Sequence, residues 1–142
     1  MAERSVDRKD VVLVGKGGCA GQDELWAARV RDVAPLRAEI RGSLARLGVA
    51  QLDLFMLHRD DESVPVERIV ENMAALHREG LFVTWGVSNW TTARLEAAIA
   101  YSDRARLPAP LTSRQVCSIS LCCCLVCCAP QAQRRIVCCV EP

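Results

Sequence analysis

Three short apolar runs, each ending in a polar side chain, set the pattern of this chain. They are Val11-Val12-Leu13-Val14 leading into Gly15-Lys16, Leu52 to Leu57 leading into His58, and Val83 to Val87 leading into Ser88-Asn89. Runs of this length, rich in Val and Leu, predict parallel strands buried on both faces. Between the first two, residues 35–48 are spaced as an amphipathic helix, with Leu36, Ile40, Leu44 and Leu47 on one side and Arg37, Glu39, Arg41 and Arg46 elsewhere. Pro35 suits a first turn and Gly48 the position just past the end. A second helix is predicted over about 65–79, with Val66, Ile69, Val70, Met73 and Leu76 inward and Gly80 as its stop. After the third run, Thr91 or Thr92 can cap a helix through about Ser102, with Leu95, Ala98 and Ile99 inward.

The order is thus strand, helix, strand, helix, strand, helix. Each strand-plus-helix unit is about 30 to 45 residues long, the size of a right-handed parallel crossover, so the three strands should lie side by side in one sheet. In parallel α/β folds the chemistry gathers where strands end. Lys16, His58, Ser88 and Asn89 therefore form one candidate site. A lysine or histidine alone at a strand exit is ordinarily structural; their matched placement on successive strands argues for a site. Asp60, Asp61 and Glu62 are expected to be a solvated acidic run. His77, at a helix end, is expected to face the helix dipole or the surface.

Composition narrows the picture. A hydrophobic share of 51% in 142 residues is ample for one packed core. A net charge of +1 leaves no footprint for nucleic acid or an anionic membrane. The first eight residues lack the apolar core of a secretory signal, and the apolar run from Val116 to Cys128 is shorter than the roughly 20 residues a spanning helix needs. A cytoplasmic location and no membrane or nucleic-acid partner are the expectations. Of the 9 cysteines, Cys19 stands alone and the rest crowd between Cys117 and Cys139. Cys124-Leu125-Val126-Cys127 has the spacing of a zinc knuckle, but Cys138-Cys139 does not complete it, so no metal site is expected.

Val11 to Gly18, Leu52 to Asp61 and Trp85 to Trp90, together with Arg46-Leu47-Gly48 between the first two, resemble the aldo/keto reductase family. The resemblance spans about residues 10–115 and implies part of a (β/α)8 TIM barrel, about its strands three to six. It also implies NADPH-dependent reduction of a small-molecule carbonyl substrate, an aldehyde or ketone. In that family a lysine ends the third strand, a histidine the fourth and a Ser-Asn pair the fifth, which here are Lys16, His58 and Ser88-Asn89. The resemblance implies catalytic roles for Lys16 and His58, and nicotinamide binding by Ser88 and Asn89. Gln115 would correspond to the family's sixth-strand glutamine beside the nicotinamide, although Val116 to Leu121 does not hold the family's spacing.

Reducing a carbonyl needs hydride at carbon and a proton at oxygen, so an acid suited to neutral pH must stand nearby. In the family that acid is a tyrosine, its pKa lowered by the lysine, which is paired with an aspartate. Both the tyrosine and the aspartate precede the lysine strand, and this chain has no counterpart to them. Its single tyrosine, Tyr101, falls in a predicted helix. Residues 1–113 are therefore expected to form a partial reductase barrel with impaired activity and open sheet edges prone to self-association. Residues 114–142, where composition changes abruptly as in a read-through or shifted frame, are expected to form an irregular Cys-rich tail outside the barrel. Two other readings stand beside the reductase: a non-catalytic half-barrel that docks on another subunit, and a thiol- or metal-binding module built on the tail.

Overall fold

The computed structural model describes residues 7–19, 30–114 and 135–138. Its strands are β1 (Val11–Gly17), β2 (Leu52–Leu57), β3 (Phe82–Ser88), β4 (Ser113–Arg114) and β5 (Arg135–Cys138). Helices α1 (Val33–Leu47), α2 (Val66–Arg78) and α3 (Thr92–Ala105) alternate with the first four strands. These five strands pair in parallel, and the sheet order is β4-β3-β2-β1-β5. Sequence neighbours from β1 to β4 are thus sheet neighbours, added always on the same side. Right-handed crossovers of that kind place their helices in a single layer, and α1 packs on α2, which packs on α3. This α/β arrangement fits a section of a (β/α)8 barrel.

The core lies between the helix layer and the sheet. α1 contributes Leu36, Ile40 and Leu44, α2 contributes Val66, Ile69, Val70, Met73 and Leu76, and α3 contributes Ala98. Against them lie Leu13, Phe55, Trp85 and Val87, and the rings of Phe55 and Phe82 stack at 5.8 Å. Hence the predicted helical periods hold, with one correction: Ile99 is exposed. The buried position that continues the inward face of α3 is Ser102, whose hydroxyl donates to the Ala98 carbonyl at 2.8 Å. Helix α3 runs past the expected end to Ala105, and Thr91 is the residue that caps it, its Oγ1 accepting from the Arg94 amide at 3.3 Å.

Burial on both faces, which the apolar runs predict, holds for the carboxyl halves of β2 and β3, where Phe55, Met56 and Leu57, and then Trp85, Gly86, Val87 and Ser88, are buried in succession, but it does not hold for β1. Along β1, Val11, Leu13, Gly15 and Gly17 are buried, while Val12, Val14 and Lys16 are only half-buried. The physical reason is that, along β1, the described helices cover only the face that carries Leu13. The proline-containing stretch after α3 also does more than break a pattern, because it runs along β3. Leu111 donates to the Trp85 carbonyl, Val87 to the Thr112 carbonyl, and the Trp85 indole to the Pro108 carbonyl at 2.9 Å. This approach requires a glycine at position 86, where an added Cβ would lie 2.7 Å from the Thr112 carbonyl oxygen.

Two expectations for the C-terminal part meet the structure differently. Arg135–Cys138 pairs in parallel with β1, from Val11↔Arg135 to Val14↔Cys138, so this piece of the tail is strand and covers the β1 edge that was expected to be open. Its Ile-Val centre favours extended backbone, a signal too short to read as a period. The strand expected over 115–121, and Gln115 with it, lies outside the described residues. At the amino ends of the strands, Asp53 joins two segments by accepting from the Leu13 amide at 2.6 Å and from Arg8 at 2.8 Å. Among the described residues no helix is long and apolar enough to cross a membrane.

Candidate active site at the carboxyl ends of the strands

Strand register decides which side chains can meet. Lys16 is level with Met56, and Met56 is level with Gly86. His58 follows Met56 by two positions and Ser88 follows Gly86 by two, and side chains two apart point to the same face. The pairing continues through His58, whose amide donates to the Gly17 carbonyl at 2.8 Å. Lys16, His58 and Ser88 are therefore directed to one face of the sheet at its carboxyl edge. It is the face opposite the buried Leu13, Gly15 and Gly17 of β1.

Behind Lys16 the strand end is held by a carboxylate. Glu39 of α1 accepts from the Gly18 amide at 2.8 Å, so the helix fixes the backbone just beyond the lysine. Gly17 makes this possible: a Cβ there would fall 2.8 Å from the Glu39 carboxylate. Sequence reading placed Glu39 on the polar side of its helix and gave it no function. The only hint was the Gly17-Gly18 pair, which admits such an approach.

At the end of β3, Ser88 is fully buried and Asn89 is exposed. Asn89 has a φ of 61°, in the left-handed region that asparagine tolerates better than most residues. Among the described residues the Ser88 Oγ has no hydrogen-bond partner. A buried hydroxyl left so costs about 1–3 kcal/mol, and a ligand group able to donate or accept there would recover it. That atom fits a carboxamide, which offers both functions.

The acidic run after His58 departs from expectation. Asp60 is 9% exposed rather than solvated, and its Oδ2 accepts from Arg94 Nε at 2.7 Å. Arg94 also donates from Nη2 to the Asp61 carbonyl at 2.9 Å and to the Val64 carbonyl at 2.6 Å. Sequence reading missed Arg94, yet a signal exists. A cation in the first turn of a helix opposes the dipole, which points to acceptors elsewhere. Asp61 turns the same loop by accepting from the amide and hydroxyl of Ser63.

The other titratable candidates stay away from this edge. Tyr101 lies in the helix layer, its hydroxyl donating to Glu71 at 2.8 Å; that bond, with some burial, pushes its pKa above the ordinary tyrosine value. His77 sits in the last turn of α2, 6.1 Å from the Phe82 ring, in keeping with the helix-end reading.

Comparison with known proteins agrees with this geometry. The model of the Aldo/keto reductase family matches residues 1–120. The chain is 35% identical over 83 residues to aflatoxin B1 aldehyde reductase member 2 of Mus musculus, covering 56% of this chain and 23% of that protein. It is 44% identical over 65 residues to aflatoxin B1 aldehyde reductase member 4 of Homo sapiens, covering 46% and 20%. It is 31% identical over 109 residues to the "Probable voltage-gated potassium channel subunit beta" of Oryza sativa subsp. japonica, covering 75% and 32%. The chain spans a fifth to a third of the length of these relatives. With the family match extending over most of its residues, and with parallel strands ending in Lys16, His58 and Ser88-Asn89, this chain belongs to the aldo/keto reductase family.

Proposed function

We propose that the chain carries the lysine, histidine and Ser-Asn part of an NADPH-dependent carbonyl reductase site, acting on a small aldehyde or ketone. The observation that carries this reading is the register that directs Lys16, His58 and Ser88 to one face at the carboxyl edge. Two of the relatives named above are aldehyde reductases by name, which supports the substrate class. When bound, the reduced nicotinamide supplies the hydride.

In this reading the Ser88 hydroxyl and the Asn89 amide hold the carboxamide and so fix which face of the ring meets the substrate. His58, on the neighbouring strand, donates a hydrogen bond to the carbonyl oxygen and orients it. Lys16 adds positive charge on the same wall, which stabilises negative charge as it develops on that oxygen. Tyr101 is bonded to Glu71 in the helix layer and is not the proton donor; the proton that balances hydride addition comes in this reading from water or from an acid outside this set of residues.

The test is a fluorescence titration of the full chain with NADPH, beside the same titration of Ser88→Ala and Asn89→Ala. Each variant is expected to weaken binding about tenfold, the factor of a lost hydrogen bond. Equal affinity in all three, or no saturable binding by the parent chain, would contradict the proposal. Substrate-dependent loss of nicotinamide absorbance that disappears in Lys16→Met and His58→Ala would extend it from binding to turnover.

A further inference from the structure

We propose that Arg94 is a positioning residue for the site: one guanidinium clamps the loop that follows His58 to the helix that follows Ser88-Asn89. Three observations meet in it. Its three hydrogen bonds all reach the loop between β2 and α2, at Asp60, Asp61 and Val64. Its own backbone belongs to the first turn of α3, capped by Thr91, five positions beyond Asn89. Its guanidinium carbon lies 5.4 Å from the centre of the Trp90 ring, and Trp90 is itself buried.

The placement costs more than a surface ion pair. Arg94 is 16% exposed and Asp60 9%, so both charges have lost most of their water, and the cation faces an unfavourable helix dipole. A desolvated pair is a poor source of net stability and a good source of a defined geometry. Here the geometry is that of two strand exits. Asp60 stands two residues after His58, and the planar, forked guanidinium reaches a carboxylate and two carbonyls in one fixed arrangement that a lysine cannot reproduce. Arg94 touches neither cofactor nor substrate in this account; it acts through the loop on the imidazole. The clamp's functional meaning rests on the reductase reading, whereas its effect on His58 does not.

The experiment uses the two histidines of the chain, His58 and His77, as probe and internal control. Imidazole NMR signals of the full chain are followed against pH in the parent, Arg94→Gln and Arg94→Lys. In Arg94→Gln the His58 signals are expected to shift and broaden while those of His77, at the far end of α2, stay in place; Arg94→Lys should fall between. Amide exchange at Val64, whose N–H bonds the Asp61 carbonyl, should quicken roughly tenfold or more, the factor of a lost charge-assisted hydrogen bond.

An unmoved His58 in both variants, with His77 and the circular dichroism unchanged, would overturn the clamp. Where Arg94→Gln disturbs His77 as well, Asp60→Asn gives the decision: displacement of His58 alone supports the clamp, and an unmoved His58 refutes it. Adding NADPH to the same samples separates the two claims. A His58 that answers to Arg94 in a chain that NADPH does not perturb keeps the clamp and rejects the reductase reading. NADPH shifts with a His58 indifferent to Arg94 do the reverse.

Discussion

Replacing Gly17 by alanine tests how the strand end beside Lys16 is held. The added Cβ would lie 2.8 Å from the Glu39 carboxylate. A carboxylate at the tip of a flexible side chain moves aside more easily than backbone, so the main effect is loss of the bond from the Gly18 amide to Glu39. A hydrogen bond to a charged group contributes about 1.5–3 kcal/mol. Alanine in place of glycine within a strand returns about 0.5–1 kcal/mol through the unfolded chain. The net loss expected is roughly 1–2 kcal/mol. Urea unfolding of the full chain measures it as a lower midpoint at unchanged slope. A second background makes the reasoning refutable. In Glu39→Ala the carboxylate is gone, so Gly17→Ala there should be neutral or stabilising by about 0.5–1 kcal/mol. Equal losses in both backgrounds would mean that Gly17 does not act through Glu39.

Asn72 is buried and donates to the carbonyls of Val30 and Arg31, so Asn72→Ala should cost about 2–3 kcal/mol in a thermal melt by leaving both acceptors unmet; no change would refute that role. Ile69→Ala in the fully buried face of α2 should cost about 2–5 kcal/mol by the same assay. Arg37 and, less closely, Arg41 hold the Glu79 carboxylate below its ordinary value of 4.5. A lowered carboxylate pKa gives stability that is present above the unfolded value and fades as pH falls through the folded one. The parent should therefore exceed Glu79→Gln in midpoint at neutral pH and converge with it below pH 4.5; a gap that persists in acid would contradict the assignment.

Much of the fold was legible in the residues because its signals are local. The inward spacing of Val66, Ile69, Val70, Met73 and Leu76 gave α2, and Gly48 and Gly80 stand just past the ends of their helices. Polar residues closing apolar runs marked the carboxyl edge, since parallel strands bring equivalent ends together. What stayed hidden depends on contacts between distant segments. Nothing near Asp60 reveals that Arg94 will bury it, and nothing near Glu39 reveals that it will meet Gly18. The half-buried face of β1 was misread because an apolar run looks the same whether one or both faces are packed. The Arg135–Cys138 strand was invisible because four residues carry no period.

We propose that the carboxyl ends of β1, β2 and β3 form one nicotinamide site. Amide and imidazole shifts of the full chain, recorded as NADPH is added, test it most directly. Movement should concentrate at Lys16 to Gly18, His58, and Ser88-Asn89, with Tyr101 and His77 still. No movement, or movement centred on Arg8 and Asp53 at the opposite ends of the strands, would contradict the account.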